Sequence, residues 1–102
     1  IIQEELSRLS DEFSQMTVTP VIIELRQMAE AIRQKEFDRT RRYLGDVDEQ
    51  TLYHIQHLSQ ALVNQLLHNP TICLKEKANS DQATAYTAAI RDLFGLPNTP
   101  LH

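Results

Sequence analysis

Glycine is nearly missing from this 102-residue sequence, with Gly45 and Gly95 its only two. Tryptophan is absent, Phe and Tyr number three each, and β-branched runs are short. That composition excludes a turn-rich β architecture and points to helices with little between them. A single cysteine, Cys73, excludes an internal disulfide. No apolar run approaches the roughly 20 residues that span a bilayer. Positive charge is also short: the net charge of −4 argues against a dedicated nucleic-acid binder. Glycine-rich phosphate loops, Ser-His-Asp sets and carboxylates paired in a pocket-like context are all missing, so the chain lacks the groups for catalysis by itself.

What is present is ordinary for a soluble domain, with 41% hydrophobic and 24% charged residues. A chain this short buries a modest share of its surface, and a partner subunit would enlarge its core. It begins at Ile1, already within a helical pattern, which leads us to expect a fragment of a longer protein.

Ile2, Leu6, Leu9, Phe13 and Met16 alternate steps of four and three, the narrow seam of a helix leaning on a neighbour. At "TVTP" the reading is a break, with Thr19 as N-cap and Pro20 in the first helical position. A second helix is expected from about Pro20 to Leu44, closed by Gly45. Its apolar face (Val21, Ile22, Leu25, Met28, Ala29, Ile32) is wide enough to touch more than one neighbour. Glu30 with Arg33, and Asp38 with Arg42, are spaced as ion pairs. Asp46 and Asp48 are equally good caps for a third helix. That helix carries Leu52, Ile55, Leu58, Leu62, Val63, Leu66 and Leu67, runs to about His68, and is expected to stop at Pro70 and to form the centre of the core. A short helix over "PTICLKEKA" should follow. A last one should run from Asp81 to Phe94, capped by Ser80, with Ala85, Ala89, Ile90, Leu93 and Phe94 inward. The expected fold is an all-α helical bundle with two long helices and two or three shorter ones, completed by homodimerisation.

His54 and His57, three residues apart, could ligate zinc but have no further ligand at a suitable spacing. They read as surface histidines. His68 suits the C-terminal dipole of its helix. Asn64, on an otherwise apolar helix, could fix register against a partner or cap a loop of the same subunit. Cys73 lies near Lys75 and Lys77, yet lacks a base and reads as a packing residue. Arg33, Lys35, Arg39, Arg41 and Arg42 are interleaved with Glu36 and Asp38 and read as a solvated face.

The segment "VTPVIIELRQMAEAIRQKEFDR" resembles the opening of the C-terminal dimerisation domain of glutamyl-tRNA reductase, through Pro20, Ile22, Leu25, Arg26, Ala29, Glu30, Ile32, Arg33 and Glu36. "LVNQLLHNPTICLKE" resembles that domain's most recognisable segment, at Leu62, Val63, Asn64, Leu67, His68, Pro70, Thr71 and Leu74. "AAIRDLFGL" is similar to the family's final helix. The resemblance implies residues 1–18 as the end of a connecting, or spinal, helix, 19–96 as the dimerisation domain and 97–102 as a tail. It further implies a parent oxidoreductase that uses NADPH to convert glutamyl-tRNA to glutamate-1-semialdehyde in tetrapyrrole (haem and chlorophyll) biosynthesis. No catalytic, cofactor or metal residue carries over to this segment, and Cys73 is not the family's nucleophile. The implied partners are a second copy, glutamyl-tRNA as the parent's substrate and, in plants, a regulator docked on this domain, with no membrane. The implied compartment is the cytoplasm, or the plastid stroma in a photosynthetic eukaryote. Candidates for dimer interface or core are Leu25, Met28, Ile32, Ile55, Leu58, Leu62, Val63, Asn64, Leu66, Leu67 and His68. Two rivals stand beside this reading. One is a free-standing helical adaptor; the other is an RNA-binding bundle that uses Arg33 to Arg42.

Overall fold

The computed structural model describes residues 2–97, with side chains from Thr17 onward. Three helices account for the architecture: α1 (Ile2–Leu44), α2 (Glu49–Lys77) and α3 (Ala83–Phe94). No strand occurs among the described residues. The fold is the expected all-α one, with two long helices and one short.

Both expected proline breaks are corrected. Pro20 lies inside α1 and Pro70 inside α2. A proline within a helix removes one hydrogen bond and crowds the preceding turn, at a cost of about 3 kcal/mol. Apolar burial on both sides offsets it. Val18, Val21 and Leu25 are 0–2% exposed and must lie on one continuous stripe to reach the same core. Leu67 and Leu74 flank Pro70 in the same way, at 5% and 1%. The expected short helix over "PTICLKEKA" is therefore the last turns of α2. The seam from Ile2 to Met16 falls in the first turns of α1, and its side chains lie outside the described residues. So do residues 98–102 of the expected tail.

The turns follow their local chemistry. Gly45 adopts φ +70 and its N–H reaches the Arg41 carbonyl at 3.2 Å, closing α1 with a left-handed residue. Of the two cap candidates, Asp48 is the one used: its Oδ1 accepts from the Thr51 N–H at 2.9 Å. Ser80 does not cap a helix starting at Asp81. Its Oγ donates to the Lys77 carbonyl and accepts from the Gln82 N–H, a local turn that delays α3 to Ala83.

The core has two neighbouring parts. Val18, Val21, Leu74, Ala78 and Ala83 form one; Leu25, Leu67 and Leu96 form the other. Ile90 of α3 packs against both. The inner face of α3 differs from the expected one. Ala83, Thr87 and Arg91 are buried, whereas Ala85, Ala89 and Leu93 face solvent and Phe94 is 39% exposed. Polar Thr87 and Arg91 can turn inward because each finds a partner. Thr87 Oγ1 donates to the Thr84 carbonyl at 2.9 Å. Arg91 Nη1 lies 2.7 Å from both Glu24 Oε2 and the Pro97 carbonyl, tying the end of α3 and the chain beyond it to α1. A buried guanidinium paired this way avoids the penalty of an unmatched charge.

Candidate functional site: an open apolar groove

Helix α3 covers α1 and α2 only where residues 18–29 and 63–78 pack together. Towards the Gly45 turn the two long helices run on without a third layer, and there they leave a groove of about 540 Å3. From α1 it is lined by Met28, Ala29, Ile32 and Phe37, and from α2 by Ile55, Leu62, Val63 and Leu66. Leu67 also contributes, and Phe94 stands at its α3 end. Helical spacing produces the lining: residues four apart stack on one face of each helix.

Four polar residues, Arg33, Glu36, Thr40 and Ser59, also line the groove, and of these Arg33 is buried, at 7% exposed. It reaches across from α1, with Nη1 donating to Ser59 Oγ of α2 at 3.3 Å. Nη2 donates to Gln34 Oε1 at 3.2 Å, and the guanidinium pairs with Glu30 as the spacing predicted. The hydrogen bond from Arg33 holds the Glu30 carboxyl below the usual range, and Glu30 in turn raises Arg33. The other basic residues of this stretch stay on exposed faces, with Arg39 4.0 Å from Glu36. Outside the groove lining, Arg26 Nη1 of α1 donates to Asn64 Oδ1 of α2 at 2.7 Å. Asn64 is thus engaged by α1 of its own chain rather than by a loop backbone.

The candidate residues divide sharply by exposure. Leu25 and Leu67 are core, while Met28, Ile55 and Val63 are half-buried at the groove. Ile32, Leu58, Leu62 and Leu66 are 54–73% exposed, and Asn64 and His68 are exposed too. The expectation that the helix from Leu52 to His68 forms the centre of the core is therefore corrected: its apolar residues outnumber what α1 and α3 can cover. His54 and His57 are exposed and stack near Tyr53, at 5.7 and 5.2 Å between ring centres. Among the described residues, no three His, Cys, Asp or Glu side chains are grouped to hold a metal ion. No helix of the described residues is long and apolar enough to cross a membrane.

Phe37, Ser59 and Phe94 belong to the groove without having been candidates for it. One sequence signal does mark this surface. From Gln50 to Leu74 there is no Asp, Glu, Lys or Arg. A helix with one face in water normally carries charge on that face. Depletion of charge on an exposed apolar helix is instead the mark of an interface core. The arrangement can bury another protein surface; it does not gather a nucleophile, base and acid.

Comparison with known proteins agrees with this geometry. The family model described as "Glutamyl-tRNAGlu reductase, dimerisation domain" matches residues 1–96. A glutamyl-tRNA reductase of Chloroflexus aggregans is 36% identical over 102 residues, all of this chain and 22% of the relative. Those of Geobacter sulfurreducens and Myxococcus xanthus are 34% and 36% identical over 94% of this chain, again 22% of the relative. The chain thus spans about a fifth of the length of the curated relatives it matches. No solved structure gives a significant match. With the family model covering nearly the whole chain and identity above 30% along its length, the chain belongs to the glutamyl-tRNA reductase dimerisation-domain family.

Proposed function

We propose that the chain is the self-associating module of a glutamyl-tRNA reductase, two copies closing their open grooves on each other. The observation that carries this is the uncovered apolar surface of α1 and α2, with Ile32, Leu58, Leu62 and Leu66 all more than half exposed. Full burial of such a side chain is worth about 1.5–3 kcal/mol, so each of these, half to three quarters exposed, forgoes roughly 1–2 kcal/mol. A second copy recovers it for every one of these residues twice. The candidates Leu25 and Leu67 then act as the internal support, while Met28, Ile55, Val63, Asn64 and His68 border the contact.

In this reading residues 1–18 deliver the module from a connecting helix, and 19–96 form it. The parent enzyme reduces glutamyl-tRNA to glutamate-1-semialdehyde with NADPH, in the cytoplasm or the plastid stroma. The chemistry and the cofactor belong to parts other than this module, which sets the spacing of two active units. A docked regulator would use the faces that the second copy leaves open.

The test is co-expression of a tagged and an untagged copy of the chain. A self-associating module retains the untagged copy on the tag at a fixed ratio through dilution and moderate salt. The adaptor alternative predicts that none is retained, and that outcome would overturn the proposal.

A further inference from the structure

We propose that the second copy seats antiparallel on α2, about a twofold axis beside Leu62, so that Leu58 of each copy packs against Leu66 of the other. The proposal rests on the self-association reading above and names its contact. Leu58, Leu62 and Leu66 are 60%, 54% and 73% exposed and lie four residues apart. That spacing makes them one continuous ridge on the helix surface, the kind that interdigitates with another helix. Leu62 and Leu66 also line the groove, so a helix laid along the ridge covers both together.

The identity of the occupant follows from symmetry and charge. The ridge reads the same in both directions from Leu62, with a leucine four residues to either side. A twofold contact uses one patch twice, and a ridge with the same residue at equal steps either side of its centre meets its own copy leucine against leucine. The charge-free run is centred on the same point. Glu49 and Lys75 close it, each thirteen residues from Leu62. An antiparallel copy therefore brings the Asp48–Glu49 end of α2 to the Lys75 end of its partner. A parallel copy would set Glu49 beside Glu49 and Lys75 beside Lys75, and would align the two helix dipoles unfavourably.

Cysteine cross-linking in the Cys73→Ser chain tests the register. Leu62→Cys should link to itself under mild oxidation. Chains with Leu58→Cys should link to chains with Leu66→Cys and far less to one another. Like residues at position 58 stand eight residues apart along the antiparallel pair, about 12 Å at the helical rise. That is beyond the roughly 7 Å that a disulfide spans. Molar mass of each variant under reducing conditions is measured alongside. Twice the chain mass with no link at Leu62→Cys, or with preferential self-linking of Leu58→Cys, overturns the register and leaves self-association standing. A Cys73→Ser chain that stays monomeric at every concentration overturns both.

Discussion

Replacing Leu66 by alanine separates interface from core. Leu66 is 73% exposed, so truncation removes few contacts within its own chain. Substitutions at such positions change monomer stability by about 0.5 kcal/mol or less. In the dimer the side chain is covered. Full burial of a leucine is worth about 1.5–3 kcal/mol, and with three quarters of it still to be buried the gain is roughly 1–2 kcal/mol per copy. Two copies contribute, so Leu66→Ala should weaken association by roughly 2–4 kcal/mol, about 30- to 1,000-fold in Kd. Leu67→Ala, one residue away and 5% exposed, should show the reverse pattern. Loss of a buried leucine costs the fold about 2–5 kcal/mol wherever stability is measured. The assay is sedimentation equilibrium for Kd, with urea unfolding at concentrations where both variants are monomeric. The reasoning is refuted if Leu66→Ala leaves Kd unchanged, or if it destabilises the monomer as much as Leu67→Ala does.

Other outcomes follow from the same structure. Leu25→Ala, at a fully buried position, should lower stability by about 2–5 kcal/mol in urea unfolding. Pro70→Ala should raise the Tm, because α2 runs through this position and regains a backbone hydrogen bond; a fall would argue for a helix stop there. Gly95→Ala should cost about 1–2 kcal/mol, since φ is +69 and a methyl group would meet nothing within 4 Å, leaving backbone strain alone. Asp48 should confer a pH dependence. Hydrogen bonds from the Thr51 side chain and backbone hold its carboxyl below the ordinary value of about 3.9. A depressed folded-state value means the stabilisation is complete above the unfolded value and disappears as pH falls through the folded one. Asp48→Asn should therefore flatten that acid limb in a Tm-against-pH series, and an unchanged limb would count against the cap.

The helical class was legible because spacing alone fixes which residues share a face. The end at Gly45 and a new helix start at Asp46 or Asp48 were legible because they depend on local backbone chemistry, and the structure selects Asp48. The prolines at 20 and 70 were misread for the complementary reason. Their local preference is to stop a helix, and burial of Val18, Val21, Leu67 and Leu74 on either side overrides it. The inner face of α3 also depended on distant partners: Arg91 turns inward because Glu24, far away in sequence, receives it. The same holds for Asn64, whose partner Arg26 lies 38 residues earlier. The groove was half legible. Its leucines were picked out as core or interface, but only three-dimensional packing shows that α3 is too short to cover them. The missing charge between Gln50 and Leu74 was the readable sign that something else must.

The central claim is that the face uncovered by α3 is closed by a second copy. Light scattering behind a sizing column, over a wide range of loading concentrations, addresses it directly. The account predicts a mass of twice 11.8 kDa that persists on dilution and falls to one copy in Leu66→Ala at the lowest loadings. A mass of 11.8 kDa at every concentration would contradict it.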